Sequence, residues 1–178
     1  MPAAAWFMWR NLINEISSVT MTATTSPVPV VNVAHHALGK AWRTAGVTSE
    51  SVTINLGTTT EAVKSVLVAG HNLTTSGTVE VLHSTDNVAF TSLGVRTASW
   101  VTTGGNVKIV SFFFASLSKQ YWRIVLKDST NPDNFIKVGR IFVGDYFEPA
   151  AQIMRNWSVE VVSDTEIEKS IGGQKWRN

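Results

Sequence analysis

The chain has no cysteine among its 178 residues. Disulfides, thiolate nucleophiles and cysteine-ligated zinc are therefore excluded. Charge is sparse as well. Asp, Glu, Lys and Arg make up 16% of the residues, and 15 basic against 13 acidic side chains leave a net charge of +2. No cluster of Lys and Arg follows a phosphate backbone, so nucleic acid is not an expected partner. No apolar run approaches the roughly 18 residues of a membrane helix, so no membrane partner is expected. The apolar start, Met1 to Leu12, has no basic segment before it, and Arg10 follows the apolar residues. That is not the pattern of a signal peptide, so a product made in the cytoplasm is expected. Also missing are a long amphipathic helix, an internal repeat, a Gly-x-Ser-x-Gly elbow and a motif-bracketed carboxylate pair. No catalytic residue, metal ligand or cofactor is assigned, and a non-enzyme is expected.

What is present favours strands. Hydrophobic residues make up 44% of the chain, with Thr, Ser and Val prominent. Val19 to Ala23 alternates, and so does the segment holding Val52, Ile54 and Leu56. Val63 to Ala69 is more continuously apolar and reads as a central strand buried on both faces. Thr78 to His83 and Val107 to Phe114 are further strands. Pro27-Val28-Pro29 reads as an extended, edge-like loop, and His35 to Lys40 as one helical turn. From Tyr121 to Gly144, two alternating segments flank a polar turn at Asn131-Pro132-Asp133-Asn134, which reads as a hairpin. In its first segment Trp122, Ile124 and Leu126 share a face, so Trp122 is a core residue. Two more strands are read at Trp157 to Ser163 and Thr165 to Ile171. The sum is an all-β chain: an antiparallel, jelly-roll-like β-sandwich over residues 17–149. Short terminal extensions flank it, an aromatic arm over 1–16 and a strand extension over 150–178.

Candidate sites must be weighed against ordinary structural uses. Asp128, Asn131, Asp133 and Asn134 offer oxygen ligands, but they lack the glycine and distal Glu of a calcium loop, and a turn needs the same residues anyway. His71, in Gly70-His71-Asn72, reads as a ring hydrogen-bonded to loop backbone at a strand end. Seven tryptophans are many for this length. Trp42 and Trp100 lie in or near loops, where an exposed ring can stack on the apolar face of a pyranose, and Arg43 adjoins the first. These three are the candidate ligand residues. Trp6, Phe7, Trp9, Trp157, Ile167 and Trp176 sit in the terminal segments and are the candidate interface residues. The alternative for residues 1–16 is that they pack on their own domain.

An ordered series of short motifs carries a family resemblance. It runs Trp9-Arg10-Asn11-Leu12, Thr20-Met21-Thr22-Ala23, Ala41-Trp42-Arg43-Thr44, Ile54-Asn55-Leu56-Gly57 and Gly70-His71-Asn72-Leu73. It continues through Tyr121-Trp122-Arg123 to Val138-Gly139-Arg140-Ile141-Phe142-Val143-Gly144. From about Trp9 to Phe147 the chain resembles discoidin-like, galactose-binding-type β-sandwich proteins found among the structural proteins of tailed bacteriophages. The resemblance implies a jelly roll with ligand loops at one end, Trp42-Arg43 in an early loop and Tyr121-Trp122-Arg123 in a late core strand. It further implies a virion structural protein of the tail, baseplate, fibre or adaptor type, forming a homo-oligomer with other virion proteins as partners. The alternative function is a carbohydrate-binding module that attaches to a host-surface glycan.

Overall fold

The computed structural model describes residues 7–57, 61–98, 107–148, 167–169 and 175–177. The chain divides into two compact units, one spanning Trp6–Glu148 and the other Met1–Ala5 with Pro149–Asn178. The first is a β-sandwich. Its strands are β1 (Phe7–Asn11), β2 (Thr20–Ala23), β3 (Trp42–Arg43), β4 (Glu50–Asn55), β5 (Ala62–Ala69), β6 (Thr78–Ser84), β7 (Thr91–Thr97), β8 (Ile109–Ser118), β9 (Tyr121–Lys127), β10 (Lys137–Val138) and β11 (Arg140–Phe147). One sheet has the order β1-β11-β5-β8, the other β2-β4-β9-β6-β7, and β10 pairs with β3 in a small third sheet. Every pair is antiparallel. In the second unit β12 (Ile167–Lys169) pairs with β13 (Lys175–Arg177).

Alternation explains the inner faces. Val52 and Ile54 of β4, Val79 and Val81 of β6, and Trp122, Ile124 and Leu126 of β9 are all fully buried. Each is one face of a strand whose other face is at least partly solvated. From the opposite sheet come Val63, Val66 and Val68 of β5, Val110 and Phe112 of β8, and Ile141 and Val143 of β11. Trp122 stacks on Phe114 at 5.7 Å between centroids and donates from Nε1 to the Lys119 carbonyl at 2.9 Å. β5 is central, and Ser65 and Val66, on successive positions, are both sealed from solvent.

Residues 7–16 of the expected arm are part of the sandwich, which corrects the arm over that part; residues 1–6 lie outside the described residues. β1 pairs with β11, and the short helix α1 (Leu12–Glu15) buries Leu12 and Ile13 in the core. Asn11 is the fastener. Its Oδ1 accepts from Ile13 N at 3.3 Å and Val143 N at 3.1 Å, and its Nδ2 donates to the Ile141 carbonyl at 3.3 Å. Beside it, Gly144 lies so close to β1 that a Cβ there would collide with the Arg10 carbonyl oxygen. The apolar residues of 7–16 are thus explained by strand pairing over Phe7–Asn11 and by burial of Leu12 and Ile13.

Two other expectations change. The Tyr121–Gly144 segment is not a hairpin, because β9 belongs to the five-stranded sheet and β11 to the four-stranded one. The polar residues between them make a crossover in which Asp128 is 2% exposed. The helical turn falls at Val30–Ala34, in 3-10 form, rather than at His35–Lys40. Val30 and Val33 anchor it in the core, whereas His35, His36 and Ala37 are exposed.

Candidate functional site

Loops from both sheets meet at one end of the sandwich. Thr44 N donates to the Ile136 carbonyl at 2.9 Å, Asn72 N to that of Lys137 at 3.3 Å, and Asp128 N to that of Val47 at 2.8 Å. These bonds tie together the segments that follow β3, β5 and β9. Asp128 is their hub. Its carboxylate accepts from Thr74 N at 2.6 Å, Thr74 Oγ1 at 2.9 Å, Thr130 Oγ1 at 3.1 Å and Asn131 Nδ2 at 3.3 Å. Burial alone would push its pKa up, but the donors from Thr74 and Thr130 outweigh that and hold it below the usual carboxylate value. The oxygen-rich turn is therefore spent on holding loops together.

The strand pair β3–β10 sets what this end presents. In β3 alternation sends Trp42 inward and Arg43 outward. Trp42 is 0% exposed and donates from Nε1 to the Thr25 carbonyl at 3.0 Å. It is a core residue and has no free face for a sugar, which removes it from the candidate ligand set. Arg43 remains. It is exposed, and its guanidinium carbon sits 3.8 Å from the centroid of the half-buried Phe135 ring. Nearby, Asn72 Nδ2 donates to Asp133 Oδ2 at 2.8 Å and to the Phe135 carbonyl at 2.9 Å, while its Oδ1 accepts from Lys137 N at 2.7 Å. A cation, a carboxylate, an amide and an aromatic edge thus share one rim, and Phe135, Asn72 and Asp133 join Arg43 as candidate ligand residues. Trp100, the third residue of the expected set, lies outside the described residues.

The histidines do not assemble into a catalytic group. His36 Nδ1 lies 2.9 Å from Arg140 Nη1 on the surface, and His83 faces Trp122 at 6.0 Å between centroids. His71 is 4% exposed, and neither ring nitrogen has a hydrogen-bond partner. The expected bond to loop backbone is absent. Burial, with the nearby Lys108 ammonium adding to it, lowers the pKa of His71 to about 4.

Among the candidate interface residues, Trp9 is 66% exposed. Phe7, Ile167 and Trp176 lie in β1, β12 and β13, of which the backbone is described at these positions. Trp6 and Trp157 lie outside the described residues. Trp9 borders a groove of about 470 Å³ that is also lined by Lys64, Asp145, Tyr146 and Phe147. This groove is on the four-stranded sheet, at the far end of β11 from Arg140. Its formation depends on where the strand pairing slips, which no sequence pattern announces.

The fold defines a class: an antiparallel β-sandwich similar in fold to solved carbohydrate-binding modules. A CBM32 module from Clostridium perfringens, solved in complex with GalNAc-β-1,3-galactose, superposes with a TM-score of 0.60 at 15% identity, covering 76% of this chain and 100% of that one. The CBM32 of AlyQ, in complex with 4,5-unsaturated mannuronic acid, gives 0.55 at 20% identity over 70% and 92%. A chitosan-binding module from a Paenibacillus sp. IK-5 chitosanase/glucanase gives 0.54 at 20% over 77% and 100%. At these identities the likeness is one of fold. No family model matches the sequence. No curated protein sequence matches it.

Proposed function

We propose that the chain is a non-catalytic carbohydrate-binding module whose ligand face is the loop end around Arg43. The observation that carries this is the exposed Arg43 guanidinium placed over the Phe135 ring, 3.8 Å from its centroid, beside the Asn72–Asp133 pair. Arginine offers five N–H donors in a fixed fork, which matches the paired hydroxyl oxygens of a sugar. Stacking on Phe135 restrains the side chain before ligand arrives, so less rotamer freedom is lost on binding. Asp133 supplies an acceptor for hydroxyl protons, and Asn72 fixes its position. The solved sandwiches similar in fold support the same function, two of them by the sugars in their complexes.

A virion role rests on the motif series of the sequence. Carried on a particle, a glycan-binding module would serve attachment to a host surface, and the two roles are compatible. A glycan array probed with the full chain tests sugar binding directly. Binding should appear for at least one glycan and fall about tenfold or more with Arg43→Ala, the ratio that about 1.4 kcal/mol gives. Phe135→Ala should weaken the same glycan. An array without signal, or full binding by both variants, would overturn the assignment.

A further inference from the structure

The groove beside Trp9 owes its shape to two irregularities in the four-stranded sheet. In β1, Met8 pairs with Tyr146 and Arg10 with Asp145, so Trp9 is an extra residue without a partner. Between β5 and β8, Val63 pairs with Leu117 and Ser65 with Phe113, so Lys64 alone stands opposite three residues of β8 and the register also breaks beside it. Bulges take a side chain out of regular alternation and re-aim it, and they concentrate near functional sites. Here the bulge at Trp9 and the break beside Lys64 border one groove, which both residues line. Its volume of about 470 Å³ falls within the range of ligand pockets, about 300–1,000 Å³.

The lining has two chemical characters. Trp9 and Phe147 are 66% and 56% exposed, and Tyr146 packs edge-on against Phe113 at 5.2 Å. Against these rings stands an ion pair, Lys64 Nζ to Asp145 Oδ1 at 3.1 Å. A purely apolar partner would strand that pair away from water, at a cost. A purely polar one would leave the indole in water.

We infer that this groove is a second saccharide site, separate from the loop end, that takes an uncharged pyranose unit of a glycan chain. A pyranose has one face of C–H bonds, which packs on an indole, and a rim of hydroxyls that both donate and accept. Lysine only donates and an ionised carboxylate only accepts, so the Lys64–Asp145 pair complements two neighbouring hydroxyls. A uronate would set its own carboxylate against Asp145, hence the uncharged class. The groove is open along the surface, which suits a ring inside a chain.

Calorimetric titration of the full chain, wild type and Trp9→Ala, Asp145→Asn and Arg43→Ala, with neutral cello-, chito-, manno- and galacto-oligosaccharides and with oligogalacturonate tests this. At least one neutral sugar should lose about tenfold or more in affinity with Trp9→Ala while keeping a second component that Arg43→Ala removes. Oligogalacturonate should bind wild type more weakly than that sugar, and Asp145→Asn should narrow the difference. Trp9 is exposed, so an unchanged melting temperature certifies its variant as folded. Binding that Arg43→Ala abolishes and Trp9→Ala leaves intact overturns the groove and keeps the loop end. Binding lost with Trp9→Ala and untouched by Arg43→Ala keeps the groove and overturns the loop end. Absence of any neutral sugar, or tighter binding of oligogalacturonate that Trp9→Ala removes and Arg43→Ala leaves intact, overturns the inference. So does sedimentation showing wild type dimeric and Trp9→Ala monomeric, which gives the groove to a second copy.

Discussion

His71 is the buried side chain, among the described residues, whose polar atoms lack partners. A neutral imidazole left that way already carries a desolvation cost, and a charged one would carry far more. The group therefore stays neutral in the fold, with a pKa lowered to about 4, while the unfolded chain titrates near 6.5. Between those values the unfolded state binds more protons, so stability falls as the pH drops through that window. His71 should cost about 3 kcal/mol of stability between pH 7 and pH 4. Asp128 acts in the same direction in a lower range, because its depressed pKa delays protonation to below the ordinary carboxylate value. Urea unfolding at pH 7.0 and pH 4.5 separates the two. His71→Leu should flatten the loss between these pH values, and a loss that persists unchanged would show that another group titrates there. The sequence placed His71 in a turn, where a hydrogen bond is the ordinary use of a ring. That the loop closes over it without offering a donor or acceptor follows from tertiary packing alone.

Among the elements, legibility tracked burial on one face. β2, β4, β5, β6 and β9 alternate or run apolar in sequence because one side of each must enter the core. β7 was not foreseen, since it is an edge strand exposed along nearly its whole length, and Leu93 is its one half-buried residue, packed against the core. The polar residues before β11 have the chemistry of a turn whether the chain returns to the same sheet or crosses to the other, so they did not show the crossover. Trp42 and Arg43 looked alike as loop residues, and one two-residue strand sends them to opposite environments. β1 was obscured because a bulge at Trp9 breaks its period. Asn11 compensates for that broken ladder by joining β1, α1 and β11. Asn11→Ala would leave the Val143 N–H and the Ile141 carbonyl short of a buried partner. Each such group costs about 1–3 kcal/mol. Chemical denaturation should show a loss of about 2–3 kcal/mol with an unchanged m-value. A loss under about 0.5 kcal/mol, the scale of an ordinary surface substitution, would show that water replaces the side chain there.

On the scale of the molecule, the boundary of the folded unit decides what the N-terminal residues are for. Terminal aromatics in a sequence suggest an appendage, yet the compact unit begins at Trp6 and closes at Glu148. β1 is the outer neighbour of β11, and removing it would leave the N–H and C=O groups of β11 on that side unpaired. It would also uncover the core that Leu12 and Ile13 help to close. An unpaired apolar edge is a template for association with another chain. A fragment of residues 6–148 should therefore fold with a single cooperative melt, because both sheets and their inner faces are complete. A fragment of residues 17–148 should aggregate or melt without cooperativity, although it keeps the other strands of the sandwich. Circular dichroism melts and size-exclusion chromatography of the two fragments distinguish the cases. If the shorter fragment is monomeric and melts like the longer one, residues 7–16 are an appendage after all, and the pairing of β1 with β11 contributes nothing to the fold.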